Sequence, residues 1–133
     1  MRVLINTAVW GKNYCDIFLQ YSISSLLSPS NLPRLSIEHR VTIQIISSKK
    51  DLNYLRTSAL VNDLANYASI ELVPFEVIFE EDIKAPTGNS GQKYGFLSKL
   101  QNYAMHSSKK FDCVMFNYAD FVWSNGSLSN TVK

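Results

Sequence analysis

"RVLINTAVWG", Arg2 to Gly11, is the stretch on which the fold turns. It opens with an aliphatic and β-branched run, Val3 to Ile5, and closes at a glycine, the pattern of a strand buried in a parallel sheet. The next stretch has another period. From Tyr14 to Leu27 the apolar residues Leu19, Ile23, Leu26 and Leu27 fall at i, i+4, i+7 and i+8, one face of a helix, and the two prolines of "SPSNLP" stop it.

The same alternation continues along the chain. "RVTIQIISS" places Val41, Ile43 and Ile45 in alternation and adds Ile46, which predicts a second strand. Ser47 or Ser48 then caps a helix whose face is Leu60, Leu64, Tyr67 and Ala68. "IELVPFEVIF" is a third apolar run, and its Pro74 assigns it an edge position or a bulge, because proline cannot donate to the ladder. "EEDIKAPTGNSG" reads as a loop. Leu97, Leu100 and Ala104 make one face of a helix from Gln92 to about Lys109, and "CVMFNY" is the fourth strand. The order βαβαβαβ predicts a three-layer α/β sandwich with a mostly parallel, Rossmann-like sheet covered on both faces.

"SNGSLSNTVK" starts one more helix, with Ser127 as its cap and Leu128 and Val132 on its face. A helix cut in its second turn is marginal by itself, so residues 1–133 are expected to be a single α/β domain from the N-terminal part of a longer protein.

Composition narrows the function classes. A chain of 133 residues with 46% apolar and 18% charged residues is one ordinary globular domain. Its net charge of +2, with scattered Lys and Arg, is too small a footprint for nucleic-acid binding. Cys15 and Cys113 form no CxxC and neighbour apolar residues, so both read as small buried hydrophobes in a reducing compartment. The apolar run of "MRVLINTAVW" is too short for a signal peptide or a membrane span, and a cytoplasmic protein is the expectation.

Ligands of open α/β sheets bind beyond the carboxyl ends of the strands, where the strand order reverses. Four loops compete for that place, after Ala8, Ile46, Ile78 and Tyr118. The first has one glycine and no GxGxxG, and no GxxxxGK[ST] occurs, which argues against dinucleotide and P-loop enzymes. It offers instead Thr7, backbone amides and the ring of Trp10, a set suited to a nucleobase or ribose; the alternative is that Trp10 packs over the first helix. Asp120, just past the fourth strand, is either a hard oxygen ligand holding Mg²⁺ or Mn²⁺ against a diphosphate or a turn aspartate bonding its own backbone. Lys93, near the start of the third long helix, reaches a phosphate or is a solvated helix lysine. His39 and His106 lack metal-ligand spacing, and nothing local supports Cys15 as a nucleophile.

Three stretches, "AVWGKNYCDIFLQYSISSLLSPSNLP", "KYGFLSKLQNYAM" and "NYADFVWSNGSL", span most of the chain. In their order they resemble the N-terminal, nucleotide-sugar-binding half of GT-A-type glycosyltransferases, and more closely a bacterial group of glycosyltransferase-like proteins. The resemblance implies that Thr7, Val9 and Trp10 lie against the nucleotide and Ser47 near the base. It also implies a nucleotide-diphospho-sugar as ligand, an acceptor half beyond this chain, and an Mn²⁺ or Mg²⁺ ion. The acidic DxD motif of that fold aligns with Tyr118, Ala119 and Asp120, and only the last of these is an acid, so metal binding rests on one carboxylate. A scaffold of the same fold used for protein interaction, without chemistry, is the rival expectation.

Overall fold

The computed structural model describes residues 1–79, 84–87 and 91–132. Four parallel strands, β1 (Arg2–Ala8), β2 (Arg40–Ser47), β3 (Ser69–Pro74) and β4 (Cys113–Phe116), form one sheet in the order β3-β2-β1-β4. Helices flank it on both sides, as the alternation of periods requires.

Strand alternation assigns the two faces. Val3 and Ile5 of β1 with Val41, Ile43 and Ile45 of β2 point into the larger core. That core is completed by α1 (Lys12–Ile17), a π-helical stretch (Phe18–Ile23), α2 (Ser24–Leu26), α3 (Leu32–Glu38), α4 (Lys49–Arg56), α5 (Ala59–Leu64) and α8 (Ser127–Thr131). The opposite face carries Ile46 and is covered by α6 (Phe75–Phe79) and α7 (Gly91–Ser107), through Phe75 and Leu100. Asn6, Gln44 and Glu71 share one register row across β1, β2 and β3. Asn6 Nδ2 donates to Gln44 Oε1 (3.0 Å) and Gln44 Nε2 to Glu71 Oε2 (3.2 Å), so two buried amides are satisfied across the strands.

Several elements depart from the sequence expectation for local reasons. The first helix is not uniformly α-helical: its middle is a π-turn, so the buried positions are Cys15, Phe18, Ser22, Ile23, Ser25 and Leu26, with Leu19 and Leu27 at the margin. The segment after β2 is two helices rather than one, because Ser58 accepts from Leu60 N and starts α5 afresh. The cap of α4 is Ser48, whose Oγ accepts from Asp51 N at 3.0 Å, whereas Ser47 is the last strand residue and fully buried. Replacing Ser48 by Ala removes that acceptor and is expected to lower stability by about 1 kcal/mol, measurable as a shift of the urea midpoint.

The third apolar run divides at Pro74. It is an edge strand up to that proline, as the missing N–H requires, and a short helix from Phe75 onward, so the loop placed after Ile78 lies beyond a helix rather than a strand. Within the loop read from "EEDIKAPTGNSG", residues 84–87 have no regular structure, while 80–83 and 88–90 lie outside the described residues. In α8, Ser127 is the first helical residue and Gly126, at φ 90°, holds the cap position. Its cap is remote: Asn31 Oδ1 accepts from Gly126 N (3.0 Å) and Leu128 N (3.1 Å) across the core. Among the described residues no helix is long and apolar enough to cross a membrane.

Candidate functional site

Strand order decides where a ligand can sit. The chain steps outward from β1 to β2 and β3, then returns to the other side of β1 to form β4, so the order reverses between β1 and β4. The connections leaving those two strands diverge, and a crevice opens between them. A cavity of about 550 Å³ occupies this place, within the range of small-molecule sites.

Its walls come from three stretches. The first is Ala8 to Tyr14, the turn from β1 into α1. Gly11 sits in this turn at φ 86°, a conformation that residues with a Cβ rarely adopt, with open space where a Cβ would be; its need for glycine is therefore conformational. Gly11 N donates to Asp51 Oδ2 at 2.9 Å, and the Tyr54 hydroxyl donates to Asp16, so α4 fixes the position of α1. The second wall is Pro86 and Thr87 with Lys93, Tyr94 and Leu97 of α7, and the third is Tyr118 to Asp120 beyond β4.

Of the residues singled out in the sequence, Val9, Trp10, Lys93 and Asp120 meet at this cavity. Val9 contributes mainly backbone: its side chain is buried and its N–H continues the ladder to Ile46 O at 3.0 Å. Trp10 does not pack over the first helix. Its Nε1 donates to Pro86 O (3.1 Å) and its ring meets Phe96 edge-on, with centroids 5.1 Å apart, so it joins the β1 turn to the α7 wall. Lys93 is half-buried, with Nζ 3.3 Å from the Tyr14 hydroxyl and 4.5 Å from the centre of that ring.

Asp120 is exposed on the wall. The turn that contains it is closed by backbone, Phe121 N to Tyr118 O at 3.0 Å, and among the described residues its carboxylate has no hydrogen-bond partner. A strand-closing aspartate would spend its side chain on that turn. Asp120 thus lines the cavity with a carboxylate that the turn does not use.

Thr7 and Ser47 lie elsewhere. Thr7 follows Val3 and Ile5 onto the larger core face, where its hydroxyl accepts from Asn117 Nδ2 at 3.0 Å. Ser47 ends β2, away from the order reversal, fully buried, and its hydroxyl has no partner among the described residues. Neither lines the cavity.

The cavity also holds residues that sequence reading passed over. Lys12, Tyr14 and Tyr94 sit on helix turns whose exposed residues carry no periodic signal. Tyr118 was visible only as a non-acid at the motif's first position; its hydroxyl accepts from Gln101 Nε2 at 3.2 Å and its ring leans on Phe121. Behind the third wall, Asn117 is buried and fully bonded. Its amide donates to Thr7 Oγ1 and Ser22 Oγ (2.9 Å), and its Oδ1 accepts from Trp123 Nε1 (2.9 Å).

Comparison with protein families, curated proteins and solved structures returned no match. The chemistry of the site therefore rests on its own residues. Asp120 is the one carboxylate among the described wall residues, which also include two lysines, and no group of three or more His, Cys, Asp or Glu among the described residues is placed to hold a metal. That donor set suits a divalent cation poorly, since Mg²⁺ and Mn²⁺ take hard oxygen ligands and two ammonium groups repel them. Cys15 is no nucleophile: burial, then the charges of Asp51 and Asp16, push its thiol up to about 12.

Proposed function

We propose that the cavity between β1 and β4 binds a nucleoside diphosphate linked to a sugar, and that the intact protein is a glycosyltransferase-like enzyme using that donor. The observation that supports this most directly is the meeting, at the order reversal of a parallel sheet, of an aromatic wall with a lysine and an unspent carboxylate. In this reading the nucleoside lies along Trp10 and Tyr94, whose rings offer the flat apolar surface a base needs. Lys93 meets phosphate charge, and Asp120 faces the diphosphate and sugar end. Stabilising the leaving diphosphate is the largest contribution such a site can make to transfer, because negative charge develops there. An acceptor site and a base complete the enzyme in the intact protein.

Tryptophan fluorescence tests the reading, because Trp10 lines the cavity while Trp123 is bonded to Asn117 behind it. Titration with UDP, GDP and their sugars, with and without Mn²⁺, is expected to give saturable quenching that Trp10→Phe abolishes. Preference for NAD or ATP would move the protein to another class of Rossmann-like enzyme. A folded sample that binds none of these ligands would favour the interaction scaffold.

A further inference from the structure

We propose, resting on the nucleotide reading of the cavity, that Lys12 and Lys93 together carry the charge of the bound diphosphate, and that this chain binds its nucleotide without a divalent cation. The two lysines reach one cavity from different elements, Lys12 from the start of α1 and Lys93 from the first turn of α7. Between them they supply two positive charges, the number a bound Mg²⁺ or Mn²⁺ would bring.

Their present partners are the kind a phosphate displaces. Lys93 rests on the hydroxyl and ring of Tyr14, neutral groups that orient its ammonium without cancelling its charge. Lys12 lies 3.8 Å from Asp16 with its own side chain 77% exposed, a solvated pair that holds weakly. A lysine ammonium meets phosphate oxygens as a point charge and forms stronger hydrogen bonds to them than to a neutral hydroxyl. Each half of the diphosphate then has a cation, one from α1 and one from α7.

The oxygen donors point the same way. Where a metal-binding motif would place its first acid, Tyr118 presents a phenol already engaged by Gln101, which leaves Asp120 alone among the described wall residues. A single carboxylate in a cavity that two lysines also line is better suited to accept hydrogen bonds from sugar hydroxyls than to anchor a dication. Asp120 therefore belongs to the sugar end of the site rather than to a metal.

The test is calorimetric titration of the full chain with UDP and with GDP, first in EDTA and then with Mn²⁺. Lys12→Gln, Lys93→Gln and the double variant are titrated alongside, with circular dichroism confirming that each is folded. The expected result is equal affinity in EDTA and Mn²⁺, with each single substitution weakening it on the order of tenfold and added salt weakening the unsubstituted chain more than the double variant. Binding that requires Mn²⁺, or affinity unchanged in the double variant, overturns this proposal and leaves the nucleotide site standing. A folded chain that binds neither nucleotide in either buffer overturns the nucleotide reading and this proposal with it.

Discussion

Asn117→Ala is expected to lower the unfolding free energy by about 3 kcal/mol, read from the urea midpoint at unchanged slope. Asn117 is 3% exposed, and its side chain joins β1, the π-helical stretch and the loop after β4 through Thr7, Ser22 and Trp123. Truncation does more than remove three hydrogen bonds. It leaves the Trp123 indole N–H and two buried hydroxyls with an apolar methyl in place of their amide partner, and a buried unpaired polar group costs more than a made bond contributes. Trp123 reports the change directly, since its indole loses an acceptor at 2.9 Å and its emission should shift. Because Tyr118 follows Asn117 in the chain, the third wall of the cavity loosens as well, and on the proposed reading affinity for a nucleotide is expected to fall with stability. A variant as stable as the parent, with unchanged Trp123 emission, would show that this network is not what fixes the wall.

Phe96→Ala is expected to cost about 3 kcal/mol and, on the proposed nucleotide reading of the cavity, to weaken ligand binding without touching a wall residue. Phe96 is the centre of an aromatic group: it meets Trp10 and Phe75 edge-on at 5.1 and 5.2 Å and stacks on Phe79 at 5.1 Å. Removing it opens a cavity under α7 and deprives Trp10 of the contact that steadies it beside Pro86. The Trp10 emission should move toward that of a solvated indole, and fluorescence quenching by nucleotide should need more ligand. Phe96→Leu keeps most of the volume and is expected to recover much of the stability but less of the Trp10 signal, because ring geometry is lost. Equal losses in both variants would count against the aromatic contacts as the cause.

Both predictions rest on residues that a pattern of periods passes over. Asn117 reads as a polar residue at a strand end, where polar residues are ordinary, and its importance comes from partners 95 and 110 positions away in sequence. Asn31 is similar, since it caps α8 from 95 and 97 positions away. Phe96 reads only as one of several apolar residues in a helix. Trp10 was legible as a ring at a strand end, but its contact with the α7 wall, rather than the first helix, depended on Pro86 and Phe96, far from it in sequence. Thr7 shows a different limit. It was read as part of the loop after β1, but it belongs to the strand itself, and alternation counted from Val3 and Ile5 turns its side chain into the core.

What the sequence determined by itself is the four strands in their chain order, the helical segments between them and the class of fold. Period 2 in Val41, Ile43 and Ile45, period 3.6 in α7 and the stop at "SPSNLP" are local, because they arise from backbone geometry and from which face of each element must leave water. Pro74 likewise carried its edge position in its missing N–H. The tertiary structure decided the strand order and hence the site. Four strand ends were equivalent in sequence, and only the return of the chain to the far side of β1 set the ends of β1 and β4 side by side. That return brought Lys12, Lys93 and Asp120 to one cavity and left Ser47 outside it. Sheet order is set by which apolar faces bury most together across the whole molecule, a property of all the elements at once that no single segment carries.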